Sequence, residues 1–406
     1  MNEPSRQPPI CSFCSLVCEL PVELHDLQTL SVFCSKRDIQ SKRIAASLEG
    51  LTTDLRQADG EALSATLGRA IGLIRRAQSV LVTGRIHTVE SARAAVELAQ
   101  RLDGMVDPWD SDEAFDSILS MQRVGGYSVS LGEARDHSDL WIVVGDDRLL
   151  EQTPRLPHAM HRGESVPMLL IGRWSDASIQ AWSEAGFDVL CIETGLEEIP
   201  KYLSQVSRLG SNYCDSQTGR WILNAKYTSI LYSPTALQVE CRDLWIDLLS
   251  RWVLNRNETT RVATLAWGSL QSTFHQTCTW LTGFPGRIRF QNHQPSYDPH
   301  RHRAKDWCDR QSASDTAAEK SLIIWIDDTL DDLPTDFDAS KLRRVIVGPN
   351  PPSTVSESQI WLPTGIAGTT FAANMFRGDQ TILAKIPCTD PLPSFTPSAW
   401  LGRLTR

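Results

Sequence analysis

Four of the ten cysteines carry the clearest chemistry in the chain: Cys11, Cys14, Cys18 and Cys34, spaced Cys-x2-Cys-x3-Cys-x15-Cys. Thiolates two and three residues apart can wrap one small metal centre from a single tight loop. A fourth on the far side of a hairpin closes the coordination. Four thiolates suit a [4Fe–4S] cluster or a tetrahedral zinc ion. Zinc sites more often pair cysteines as two short knuckles, so this run favours the cluster; an empty, vestigial site is the third alternative. Cys191, Cys214, Cys241, Cys278, Cys308 and Cys388 are scattered. In a reducing compartment they read as buried small hydrophobes or bystanders.

A second group lies in GRIRFQNHQPSYDPHRHR (286–303). His293, His300 and His302 are potential zinc ligands, but Asp298-Pro299 argues for a turn and a surface loop. Arg287, Arg289, Arg301 and Arg303 flank the stretch, and arginines can hold carboxylates in bidentate pairs; a solvated basic loop is the plain alternative. SVLVTGRIHTVESA (79–92) puts Gly84 between a strand and a helix, where an anion could sit. It lacks GxGxxG and GxxxxGK[ST], so it reads as an ordinary strand–turn–helix junction. No serine nucleophile elbow, HExxH or defensible carboxylate pair occurs, so no complete hydrolytic site is expected.

Positioning these residues falls to alternating strands and helices. Residues 62–77 have helical spacing, with Leu63, Leu67, Ile71 and Ile74 on one face, and 88–103 form a second amphipathic helix. Short apolar runs at 79–84, 139–145, 166–172, 188–193, 261–268, 321–327 and 343–348 read as strands. A long helix is expected at 235–254, with Leu237, Cys241, Leu244, Leu248 and Val253 inward. Strand–helix alternation implies parallel α/β layers, because a parallel connection must cross the sheet. Near the N-terminus, Val22-Glu23-Leu24 and Leu30-Ser31-Val32-Phe33 fit a β-hairpin. Of the thirteen tryptophans, Trp141, Trp267 and Trp325 are expected in the core, whereas Trp109, Trp174 and Trp361 are expected at turns facing partner subunits.

The chain has 406 residues, long enough for two or three domains. The expected division is 1–60, holding the four cysteines; 61–225, a Rossmann-like α/β domain; 226–350, a second α/β domain; and 351–406, a closing segment and tail. Net charge is −9, so no overall positive field exists to attract nucleic acid or anionic lipid. No apolar run approaches the roughly 18–20 residues a membrane span needs. The opening MNEPSRQPPICSFC has no apolar stretch behind a basic one, so no secretory signal is expected and the cytoplasm is the expected location.

CSFCSLVCELPVEL followed by LSVFCSK resembles the opening of the B-type subunit of formylmethanofuran dehydrogenases, within the larger group of molybdopterin oxidoreductases. The likeness continues, in order, through VELAQRLDGMVD (96–107), QRVGGYSVSLGEARDHSDLWIVVGDD (122–147), TWLTGFPGRIRFQNHQPSYDP (279–299) and GIAGTTFAANMFRGDQTILAK (365–385). It implies a molybdopterin oxidoreductase-like core of parallel-sheet α/β domains, with a small cysteine-bearing β-hairpin domain and without the C-terminal β-barrel domain. An incomplete core of that kind needs partner subunits to cover it.

The dehydrogenases of this family hold tungsten or molybdenum between pterins, ligated by a cysteine or selenocysteine. Here the corresponding stretch, DPWDSDEAFDSILSMQ (107–122), has no cysteine, and the ligand position falls near Glu113 or Asp112. A carboxylate can ligate a hard metal, but a solvated acidic helix start is the simpler reading, and a tungsten- or molybdenum-pterin is not expected. The chain thus resembles the bacterial branch in which the complex transfers and hydrolyses a formyl group in tetrahydromethanopterin-linked one-carbon metabolism. That branch implies a subunit without redox chemistry or an active site of its own, serving as scaffold or as contact for the glutamate carboxylates of a methanofuran-type carrier, with the arginines as that contact. The alternatives are a working oxidoreductase of the dehydrogenase type and an iron–sulfur electron-transfer subunit.

Overall fold

The computed structural model describes residues 10–12, 14–19, 60–209, 217–237, 239–269, 271–334, 337, 342–352, 358–368, 370–388 and 392–404. Cys34 and the expected hairpin around 22–33 lie outside the described residues. In chain order the elements are α1 (Gly60–Arg76), β1 (Ser79–Arg85), α2 (Val89–Arg101), β2 (Met105–Val106), α3 (Asp112–Val124), α4 (Leu131–His137), β3 (Leu140–Asp146), α5 (Arg148–Gln152) and α6 (Leu156–Met160). There follow β4 (Pro167–Arg173), α7 (Asp176–Glu184), β5 (Asp188–Glu193), α8 (Ile199–Leu209), α9 (Gln217–Asn224), β6 (Tyr227–Tyr232), α10 (Arg242–Arg256), β7 (Arg261–Ala266) and α11 (Ser272–Thr282). The chain continues through β8 (Ile288–Gln291), β9 (Gln294–Tyr297), α12 (Ala304–Ser312), α13 (Asp315–Glu319), β10 (Ser321–Asp327), β11 (Arg343–Gly348), β12 (Gln359–Pro363), β13 (Ala373–Phe376), β14 (Leu383–Ile386) and α14 (Pro397–Leu404).

Two large sheets organise the described residues. The first has the order β12-β11-β10-β1-β2-β8-β9 and the second β5-β4-β3-β6-β7. The second sheet is parallel throughout. The first is parallel from β12 to β2 and then turns antiparallel at β8 and β9. Strands covered by helices on both faces need apolar residues at every position rather than at alternate ones. LWIVVGD in β3 and SLIIWID in β10 meet that need, and both are buried nearly end to end.

Alternate residues of the first sheet feed two separate cores. Val80, Val82, Ile324 and Ile326 pack with Ala92 and Ala99 of α2 and with Trp400 and Leu401 of α14. Leu81, Ile323 and Trp325 face Trp109, Trp307 and Phe337. α2 begins where Thr88, in extended conformation, caps the helix by accepting from the Ser91 amide at 3.1 Å.

Several expectations change. The sheets cut across the 61–225/226–350 division, because β1 and β2 belong with β10–β12 while β6 and β7 complete the sheet begun by β3. The C-terminal segment is not a tail, since α14 is part of the first core. The helix expected at 235–254 starts only at Arg242. Ser233–Leu237 form a turn, Cys241 takes a left-handed conformation (φ 49°), and Leu244 and Leu248 point outward at 52 % and 57 % exposure. Trp245, Ile246, Leu249, Trp252 and Val253 form the buried face instead; apolar residues lie all round this helix, so periodicity alone picks the wrong side. Trp109 lies in a turn, as expected, but is buried, edge-on to both Trp325 and Phe337 at 5.5 Å, and Trp361 sits within β12 rather than at a turn. β6 and the β8–β9 hairpin add strands that the apolar runs do not mark. The hairpin turn is Asn292-His293, both at positive φ, which matches the right-handed twist of the strands it joins.

The β1–β10 seam is tight at Gly84. Its φ is 133°, and a Cβ there would lie 2.0 Å from the Ile326 carbonyl oxygen. Gly84→Ala is expected to cost about 3 kcal/mol in a urea melt. Gly68, in α1 with open space around it, is the control: Gly68→Ala should raise stability by about 0.5–1 kcal/mol, because alanine loses less backbone entropy on folding.

Candidate functional site

Cys11, Cys14 and Cys18 lie on one compact loop. Ile10 and Glu19 pair as an antiparallel bridge, the Cys11 amide donates to the Cys18 carbonyl at 2.8 Å, and Val17 turns the chain at φ 49°. The loop is anchored to the C-terminal segment. Ser12 Oγ donates to the Ala367 carbonyl at 3.2 Å, and the Gly378 amide donates to the Ser15 carbonyl at 2.6 Å. Leu16 is buried in the core beneath the second sheet, with Cys14 and Cys18 beside it. Among the described residues no three His, Cys, Asp or Glu side chains gather closely enough to hold a metal ion, and Cys34, the fourth member of the run, lies outside them.

Two cavities open near this loop and share Ser269 in their walls. The first, 430 Å³, lies at the carboxyl ends of β1 and β10 and is lined by Cys14, Arg85, His87, Thr88 and Asp328, among others. Chain direction diverges there, β1 leading to β2 on one side and β10 to β11 on the other, and such a switch point is where open α/β sheets form a crevice. The second, 310 Å³, is bounded by α3, β7 and α11, with Glu113, Tyr232, Thr264, His275 and Asp379 in its wall.

The stretch that would ligate a pterin-bound metal forms the acidic start of α3, as expected, and Asp112 there is 43 % exposed. Asp112 is held by two arginines. Arg303 Nε donates to its Oδ1 at 2.9 Å and Arg303 Nη2 to its Oδ2, while Arg287 Nη2 also donates to Oδ1. Burial pushes the Asp112 carboxyl upward, but the two guanidinium groups together outweigh it and keep the group below its usual range. Glu113 goes the other way: burial, opposed by Arg242, pushes its pKa to about 6. Both Asp112 oxygens are thus engaged by the two arginines.

Arg287 and Arg303, two of the four arginines suggested as contacts for a polycarboxylate, are both paired with Asp112. Arg287 is buried, 5 % exposed, with φ 50°. Its guanidinium lies 4.0 Å from the Phe115 ring centre and donates to the Pro299 carbonyl. Arg289 projects outward from β8, and Arg301 is 86 % exposed with Asp298 at 3.9 Å. The two surface arginines and the two that clamp Asp112 do different jobs. His293 sits exposed at the hairpin turn, and His302 Nδ1 faces the Arg287 carbonyl at 3.2 Å.

Beneath the clamp lies Asp107, 2 % exposed, accepting from Ser111 Oγ at 3.1 Å and the Ala304 amide at 2.9 Å. Its second oxygen is 3.9 Å from Arg287 Nε, beyond hydrogen-bond reach. Burial outweighs these contacts and pushes its pKa up to about 7. Sequence spacing does not mark Asp107; its one signal is its place directly after the β2 residues.

Breaking the clamp should be expensive. Arg287→Ala removes the buried cation beside Asp107 and one of the two partners of Asp112, and is expected to cost about 3–5 kcal/mol, whereas Arg289→Ala should stay within about 0.5 kcal/mol. Asp107 also sets a pH dependence. Its ordinary value is 3.8 and its folded value about 7, so between them the folded state binds the extra proton. Its contribution to stability therefore falls as pH rises from about 4 to about 7 and is level outside that window. Urea melts of Asp107→Asn should lack this component, so the variant gains on the parent protein across that window.

No family model matches the chain. In sequence it is 23 % identical over 357 residues to the B subunit of the formyltransferase/hydrolase complex Fhc of Methylorubrum extorquens, covering 85 % of this chain and 94 % of that one. In fold it matches a chain in the crystal structure of the formyltransferase/hydrolase complex FhcABCD from Methylorubrum extorquens in complex with methylofuran, with a TM-score of 0.70 at 19 % identity, covering 86 % of this chain and 95 % of that one. The chain is thus similar along most of its length to the B subunit of the formyltransferase/hydrolase complex, the relationship that its cysteine run and Thr-Gly-Phe-Pro segment imply.

Proposed function

We propose that the chain is the B-type subunit of a formyltransferase/hydrolase complex in tetrahydromethanopterin-linked one-carbon metabolism in the cytoplasm, acting as scaffold rather than as a redox catalyst. The observation that carries this reading is the co-linear similarity to the Fhc B subunit over 85 % of the chain. The missing cysteine favours it over a tungsten- or molybdenum-dependent dehydrogenase: Glu113 stands near the ligand position, and the neighbouring Asp112 is committed to two arginines. Among the described residues no helix is long and apolar enough to cross a membrane. Carriage of a methanofuran-type molecule then belongs to the assembled complex, with Arg289 and Arg301 among the exposed cations this chain can offer.

The four cysteines fit the same reading as a [4Fe–4S] site. Three of them share an anchored loop, and the run of spacings suits a cluster better than two zinc knuckles. In this role the cluster stiffens the N-terminal segment and feeds no catalytic metal.

Affinity purification of the tagged chain from its native cells, without oxygen, tests both parts. Counterparts of the A, C and D subunits should co-purify in fixed proportion, and the assembly should release formate from its formylated carrier. A chain recovered alone, or with tungsten or molybdenum near one per chain, would overturn the subunit reading. Iron should approach about four per chain with acid-labile sulfide. Cys14→Ser should abolish that iron while leaving the subunits together.

A further inference from the structure

We propose that Asp328 determines the specificity of the switch-point cavity: its carboxylate fills the anion site at the start of α2, so the cavity rejects ligands bearing phosphate or diphosphate and admits uncharged, hydrogen-bonding ones. The inference rests on this chain's own residues and is independent of the subunit assignment.

Backbone amides at the start of a helix that follows a central parallel strand attract phosphate, because they point outward and the helix dipole favours negative charge. In this chain the amides of His87 and Thr88 donate to Asp328 Oδ2 at 2.8 and 3.0 Å. Ser91, one turn further, gives its hydroxyl to Asp328 Oδ1 at 2.8 Å and its amide to Thr88 Oγ1 at 3.1 Å. A ligand phosphate would have to displace a carboxylate already held by three donors.

Charge at the cavity mouth acts in the same direction. Arg85 is committed to Asp327 through Nε at 3.1 Å and through Nη2, and it also donates to the Asp331 carbonyl at 2.7 Å. Against that one arginine stand Asp327, Asp328 and Asp331. His87 adds no positive charge, because burial beside Arg85 lowers its pKa to about 3. Beside the Cys14 thiol and the apolar Leu330, Ile366, Ala367 and Met375, the wall offers the neutral polar groups of Ser12, Gln152, Ser269 and Gln271. Hydroxyls and amides of this kind suit an uncharged ligand rather than an anion.

Isothermal titration at pH 8 with inorganic pyrophosphate and with ADP tests the proposal on the full chain in its purified complex. Burial raises the Asp328 pKa only to about 6, so the carboxylate is charged at that pH. The parent protein should show no saturable binding of either ligand. Asp328→Asn keeps the shape and one acceptor oxygen while removing the charge; Asp328→Ser also removes bulk. Both should bind pyrophosphate saturably, at least about tenfold more tightly than the weakest binding the titration would detect in the parent. Melting curves identify which variants are folded, and the conservative Asp328→Asn decides the matter if Asp328→Ser is not. Saturable pyrophosphate binding by the parent protein, or a folded variant that binds no more tightly, would overturn it.

Discussion

The parallel pairing of β1 with β10 holds the rest of the molecule in place. Seven residues of each strand align, from Ser79 beside Ser321 to Arg85 beside Asp327. This seam joins two segments separated by most of the chain, and both faces of the sheet are sealed only once it forms. It also brings Arg85 to Asp327 and Asp328 to the start of α2, so the cavity at its end exists only because of the pairing. The clearance at Gly84 shows how little room the seam has: a single methyl group would meet the neighbouring backbone.

Charge inside the fold is consistently answered by opposite charge or by backbone amides. Asp112 meets two arginines, Asp327 meets Arg85, and Asp328 meets three donors. Each group is worth more as part of its set than alone, since removing one partner strands a charge in an apolar setting. Asp107 is the exception, with one oxygen bonded and the other short of contact, and it alone among these carboxylates is pushed up to about 7.

Much of this architecture is legible in the sequence. The buried strands stand out as unbroken apolar runs, because a parallel strand with both faces covered has no other composition available. α1 and α2 are equally plain, since each shows one apolar stripe. β6 is harder: YTSILY carries the β-branched and aromatic residues of a strand but only a short unbroken apolar run. α10 misleads because its apolar residues surround the axis and only tertiary packing chooses which are buried. The arginine cluster misleads for a different reason. Spacing shows that Arg287 and Arg303 are close to one another, but not that a carboxylate 175 or 191 residues away faces them. The role of Asp328 has no local signal, because its partners lie across the seam.

The five-stranded sheet is contiguous in sequence, from β3 to β7, whereas the seven-stranded sheet begins before it and ends after it. During synthesis the inner sheet emerges whole while β1 and β2 still lack their neighbours. Their apolar faces must wait for β10, β11 and α14 to leave the ribosome, a delay of some tens of seconds at ordinary translation rates. Closing so long a loop is also slow in itself. The outer layer is thus the part of a nascent chain most in need of shielding by chaperones, and its vulnerability follows from strand order rather than from any weakness in its packing.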